Sequence, residues 1–195
     1  KRQDAGVTLV ELAIVIAVVA ILLALAGPSY RELMLNNRRA TQINEMMASL
    51  NLARAEAVRR GTATAVCISD GVPNPDCDNV AGAWEQEGWL VVVDTNRDGT
   101  FSTSAGDLVI QQHEPLAQEW TLRGNAPVTR RITFNASGTA LTSTSGTLRL
   151  CDTTRGQQQV RGIVVQGTGR ARLATDGNDA DSIVEDGSGN NLTCP

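Results

Sequence analysis

The sequence predicts an α+β fold in which a long N-terminal helix precedes an antiparallel β-sheet domain. Three observations predict it: residues 7–26 carry one charge in twenty positions, apolar residues recur at helical spacing through 31–60, and short apolar runs broken by turn residues follow residue 61. A 3.6-residue period giving way to short strand-like runs separates a helical half from a sheet half. The 195 residues leave room for one globular domain of ordinary size behind the helix, and for no second catalytic domain.

The first element, residues 7–26, reads VTLVELAIVIAVVAILLALA. Twenty such residues span the roughly 30 Å hydrocarbon core as a helix. An ordinary secretory signal is excluded, because the small residue suited to cleavage, Gly6, precedes the apolar run instead of following it. A carboxylate at Glu11 is costly near one end of a membrane helix unless it is paired or close to the interface. Its natural partner is a cation from another subunit, such as a free N-terminal amine.

Residues 27–61 form the second half of the helix. Ile43, Met46, Met47, Leu50, Ala53, Ala57 and Val58 make one apolar stripe that is expected to pack on the β-domain, with polar residues opposite. The methionines read as pliable core filler. Gly61, just after Arg59-Arg60, reads as the helix stop.

Residues 62–195 form the β-rich domain, with strands expected at 64–68, 88–94, 107–112, 131–135, 147–151, 161–166 and 170–174. Gly and Ser stretches at 136–146 and 176–191 read as loops. The four cysteines, Cys67, Cys77, Cys151 and Cys194, lack metal-type or redox-type spacing and read as disulfides formed outside the cytoplasm. Three pairings are possible. Cys67 with Cys77 and Cys151 with Cys194 is favoured, because the first closes a short Gly/Pro/Asn/Asp loop and the second ties down a terminus.

Composition narrows the chemistry. The single histidine, His113, excludes a multi-imidazole zinc site and reads as a solvated surface residue. The net charge of −4 becomes −5 without residues 1–6, which carry Lys1, Arg2 and Asp4, so any polyanion contact must come from a local patch. No phosphate loop, carboxylate dyad or nucleophile constellation is present, and the reading is non-enzymatic, with no cofactor. Asp94, Asn96 and Asp98 begin a calcium-loop-like string, but its second half is missing and an Asn/Asp/Gly hairpin turn is the favoured reading. In Gly169-Arg170-Ala171-Arg172 the two arginines are two apart, so on a strand they share a face. They are placed either to grip phosphates or to pair with Asp176, Asp179 or Asp181; Arg155 and Arg161, or Arg130 and Arg131, are candidates to extend the patch.

Gly6-Val7-Thr8-Leu9-Val10-Glu11 resembles the type IV prepilin and pseudopilin cleavage motif, a charged leader (1–6) ending in Gly before an apolar helix. The resemblance implies cleavage after Gly6 by a prepilin peptidase, methylation of Val7, where the family usually has Phe, and a docking role for Glu11 in the filament. Gly27-Pro28 resembles the point at which the family's helix bends or melts. The segment from Gly88-Trp89 to Asp98-Gly99, with Ile132-Thr133-Phe134 leading to Gly138 and the Gly-Arg-x-Arg element, resembles the GspH and FimT type of minor pilin and pseudopilin.

That resemblance implies a pilin-like fold and a minor pilin at or near a pilus tip, partnered by other pilins and supporting assembly, twitching or DNA uptake. It implies an inner-membrane subunit with a periplasmic domain that moves to the cell surface, and Arg170 and Arg172 as DNA contacts. The rival readings are a minor pseudopilin of type II secretion and a membrane-anchored periplasmic binding module.

Overall fold

Ala, Leu and Arg dominate residues 9–60, and these strong helix formers sustain helix α1, Leu9–Arg60, over 52 residues. The computed structural model describes residues 6–71, 75–77, 82–141, 145–154, 160–177 and 183–194, without the side chains of 25–29. It contains two compact units, Lys1–Thr41 and Gln42–Pro195.

In the first unit α1 passes through Gly27-Pro28 without interruption. The expected alternative of a melted segment does not occur: proline removes one helical hydrogen bond, but its fixed φ is itself helical. Apolar side chains from Val7 to Leu23 are exposed, Leu9 at 84% and Leu23 at 67%. Among the described residues no helix is long and apolar enough to cross a membrane. The expected span 7–26 runs into positions whose side chains lie outside the described residues, as does that of Pro28.

In the second unit, Ile43, Met46, Leu50, Ala53 and Ala57 are buried at alternating spacings of three and four. Helix α1 ends where Gly61 and Thr62 both donate their N–H groups to the Ala57 carbonyl, at 3.0 and 3.3 Å.

The strands are β1 (Thr64–Ile68), β2 (Trp89–Val93), β3 (Leu108–His113), β4 (Trp120–Gly124), β5 (Arg131–Phe134), β6 (Gly146–Asp152), β7 (Arg161–Val165) and β8 (Ala171–Leu173). Among the described residues there are also a one-turn helix α2 (Trp84–Glu87) and a 3-10 turn at Thr103–Ala105. Two antiparallel four-stranded sheets result, in orders β3-β2-β1-β5 and β4-β6-β7-β8. This is the α+β architecture expected. Strand β4 was not expected, although the alternation of Trp120 and Leu122 with Thr121 and Arg123 carries its signal.

One core joins α1 to both sheets through Val66, Trp89, Val91, Ile132, Phe134, Leu148, Leu150 and Ile163. The far face of the first sheet is covered too, with Ala65, Cys67, Leu90 and Val92 packed against Cys77 and Phe101 from the loops. Burial on both faces explains why β1 and β2 read as unbroken apolar runs. The far face of the second sheet packs Cys151, Val160, Val164 and Ala174 against Val184 and Leu192 of the C-terminal segment.

Both favoured disulfides are present, Cys67–Cys77 and Cys151–Cys194, with Cα separations of 5.6 and 5.7 Å. The first closes the loop over the first sheet. The second fastens the C-terminal segment over the second sheet.

Candidate functional site

Thr8 and Glu11 form a reciprocal pair at the start of α1. The Glu11 N–H donates to Thr8 Oγ1 at 3.3 Å, while Glu11 Oε2 accepts the Thr8 N–H at 3.2 Å and its hydroxyl at 3.1 Å. This is a capping box, satisfying backbone donors that the first helical turn leaves without partners. The sequence reading of Glu11 missed it, although Thr-x-x-Glu before an apolar run is its signature. The carboxylate therefore has an intramolecular role, and the exposed geometry leaves its other lone pairs accessible.

The calcium-like string is a self-satisfied loop. Asp94 accepts the N–H groups of Asp98 at 3.2 Å and Gly99 at 3.1 Å, and Asp98 accepts the Thr100 N–H at 2.7 Å and its hydroxyl at 2.5 Å. Asn96 Nδ2 donates to Asp98 Oδ2 at 2.8 Å. Those bonds hold the Asp98 carboxyl below its ordinary range, the Thr100 hydroxyl contributing most. Asp107 adds the N–H groups of Thr95 and Ser102, at 2.8 and 3.0 Å. Among the described residues no group of three or more His, Cys, Asp or Glu side chains is arranged to hold a metal ion.

The Gly-Arg-x-Arg element occupies the hairpin between β7 and β8. Gln166 N–H donates to the Arg170 carbonyl at 2.9 Å and Gly169 N–H to the Gln166 carbonyl at 2.8 Å. Gly169 has φ +79°, and a Cβ there would lie 1.9 Å from the Gly138 carbonyl oxygen. Arg54 of α1 binds both turns, donating from Nε to Gly138 O at 2.9 Å and from Nη2 to Thr168 O at 3.4 Å. The glycines of two separate sequence motifs thus meet at one helix arginine, a junction invisible in the linear order.

Ala171 packs on the central core, which sends Arg170 and Arg172 to the opposite face. Arg170 is exposed; Arg172 is half-buried, opposite Val164, with its guanidinium 3.3 Å from the Leu173 carbonyl. Among the described residues neither makes a salt bridge. Two of the candidate extensions, Arg161 and Arg131, lie elsewhere in the fold. Arg161 begins β7 opposite Leu150, at the far end of the hairpin, and Arg131 belongs to the first sheet, 5.8 Å over the Phe101 ring. Arg155, Asp179 and Asp181 lie outside the described residues, as do residues 1–5 of the leader.

His113 is not a solvated surface residue. It stacks on Trp89 with ring centroids 3.6 Å apart, and its Nε2 lies 2.8 Å from Glu45 Oε2. Its place at the end of β3, directly opposite Trp89, brings this about.

A family model described as type II transport protein GspH matches residues 42–169, more than half of the chain. The chain belongs to this family. A model of the prokaryotic N-terminal methylation motif matches residues 1–27. Among solved structures, the Pseudomonas aeruginosa (strain PAO1) type IV minor pilin FimU in space group P21 superposes with a TM-score of 0.52 at 20% identity, covering 71% of this chain and 90% of that one. The same protein in space group P65 gives 0.48 at 19% identity, covering 71% and 92%. The first likeness establishes the pilin-like α+β fold. No curated protein matches the chain. As a GspH-family member with an N-terminal methylation motif, the chain is of the pilin or pseudopilin kind.

Proposed function

We propose that the chain is a minor type IV pilin, anchored in the inner membrane by residues 7–26 with its β-domain in the periplasm, then incorporated at or near a pilus tip. The observation that carries this reading is the N-terminal methylation motif over residues 1–27 in front of a pilin-like domain. A prepilin peptidase would cut after Gly6 and leave a methylated Val7. Glu11, four residues on, would dock against a neighbouring pilin, and Pro28 would give the helix local freedom in the filament. The role is structural, without catalysis or cofactor.

Mass spectrometry of the native protein tests the processing step, and a peptide beginning at methylated Val7 is the expected result. An intact leader would end the reading. Docking is tested by Glu11→Ala beside Thr8→Ala. Both lose the capping box, so loss of filament incorporation in Glu11→Ala alone assigns the carboxylate to assembly, and equal behaviour assigns it to the helix cap.

Arg170 and Arg172 are the proposed DNA contacts, which would suit a role in DNA uptake beside twitching. Their shared face, and the lack of salt bridges to them among the described residues, support this. The full chain in detergent should retard duplex DNA at low salt, and Arg170→Gln/Arg172→Gln should abolish the shift. Equal retardation by the double variant removes DNA capture from the reading.

The matched family's description favours a second reading, a minor pseudopilin of type II secretion. Deletion then stops export of secreted proteins while surface pili and twitching persist.

A further inference from the structure

The second sheet places two arginines directly opposite each other. Arg123 on β4 pairs in register with Arg149 on β6. Both point away from the core, because their neighbours Leu122, Leu148 and Leu150 are buried in it. Like charges directly opposite across an antiparallel pair are destabilising on their own. The arrangement calls for a negative charge between them.

Glu85 of α2 supplies part of that charge. It accepts Arg123 Nη1 and the Leu122 N–H, the latter at 3.1 Å. Two guanidinium groups against one carboxylate leave a local excess of one positive charge, and Glu85 reaches only the Arg123 side. Arg149 Nε is buried with no hydrogen-bond partner. So is Thr121 Oγ1, two residues before Arg123 and therefore on the same face. A buried donor without a partner is destabilising, and here two such donors share one face with a third.

Beside them opens a groove of about 560 Å³ lined by Thr121, Arg123, Glu85, Gln86 and Gln118. Thr121 and Arg123 line this groove, and Arg149 stands opposite Arg123 in register at its edge, so hydroxyl and guanidinium groups gather there as the donor set of an oxoanion.

We propose that Thr121, Arg123 and Arg149 form a binding site for a phosphate-class oxoanion. The oxoanion bridges Arg123 to Arg149 and accepts from Thr121, satisfying the two orphan donors and relieving the cross-strand repulsion. The site is separate from Arg170 and Arg172 on β8 and goes beyond the pilin reading, so it stands or falls independently of DNA capture. The anion is either free phosphate or a phosphodiester of a nucleic acid strand.

The test is titration of the full chain in detergent with inorganic phosphate against chloride at matched ionic strength, followed by thermal unfolding and by the Arg149 Nε–H resonance. Phosphate should raise the unfolding temperature and move that resonance. Arg149→Gln and Thr121→Val should each weaken apparent affinity about ten-fold, the worth of one charge-assisted hydrogen bond. Arg170→Gln/Arg172→Gln should titrate like the parent. A short single-stranded oligonucleotide that competes with phosphate identifies the phosphodiester as source, and one that does not identifies the free anion. If Arg149→Gln does not fold, Arg149→Lys retains the charge and removes the Nε donor. A parent resonance that ignores phosphate, or Arg149 variants that titrate like the parent, overturns the site.

Discussion

Trp89 and His113 face each other across β2 and β3 with their rings 3.6 Å apart and within 9° of parallel. The indole N–H donates to Ser49 Oγ at 2.9 Å, while His113 Nε2 meets Glu45 at 2.8 Å, so both rings are tied to α1 four residues apart. The pair also explains the preceding glycine: a Cβ on Gly88 would lie 2.0 Å from the His113 carbonyl oxygen. The Gly-Trp motif is thus the seat of an edge strand against the helix.

His113→Ala should therefore lower stability by about 1–2 kcal/mol, combining a stacked pair with a partly exposed hydrogen bond to Glu45. His113→Phe, which keeps the stack alone, should lose less than about 1 kcal/mol. Denaturant unfolding followed by tryptophan fluorescence measures both. An alanine variant as stable as the parent would show that the stack carries no weight.

Glu56 accepts Arg59 at 3.0 and 2.6 Å and Arg60 at 2.6 Å in the last turns of α1. The hydrogen bond from Arg59, followed by that from Arg60, lowers its carboxyl from the ordinary 4.5 to about 2. A carboxyl lowered on folding stabilises the fold above its ordinary value and loses that contribution as pH falls from about 4.5 through about 2. Carboxyl-carbon NMR should place the Glu56 midpoint near 2 and return it toward the ordinary range in Arg59→Gln/Arg60→Gln. A midpoint unmoved by that double change would separate the shift from the arginines.

The two disulfides close loops of different length, with sequence separations of 10 and 43. Chain entropy alone makes their removal cost about 3 and about 4 kcal/mol respectively. Cys151→Ser/Cys194→Ser should also admit rapid amide exchange at Val184 and Leu192, which cover Val164. Protection retained at those amides would mean that apolar packing alone fastens the C-terminal segment.

Much of the fold was legible because periodicity is local. The stripe from Ile43 to Ala57 and the runs TAVCI and WLVVV follow directly from which faces are buried. Strand β4 was missed because Trp120 and Leu122 give only two apolar positions in five residues. His113 was misread because its environment depends on the register of β3 against β2, which no local pattern encodes. The Arg123–Arg149 opposition is non-local for the same reason. The Thr8–Glu11 box was fully local and readable, yet a functional reading of Glu11 hid its backbone role.

The Gly-Arg-x-Arg element joins two separable jobs, and one variant in each divides them. Gly169→Ala sets a methyl group 1.9 Å from the Gly138 carbonyl at a φ of +79°, so backbone must move in a junction that Arg54 clamps from α1. Strain at such a position and overpacking together should cost about 3 kcal/mol. Arg170→Gln/Arg172→Gln removes two side chains without salt bridges among the described residues and should change stability by less than about 0.5 kcal/mol. Thermal unfolding of the two variants side by side checks this. If the arginine variant unfolds as readily as Gly169→Ala, the guanidinium groups hold the hairpin, and their loss could no longer be read as a loss of DNA contact alone.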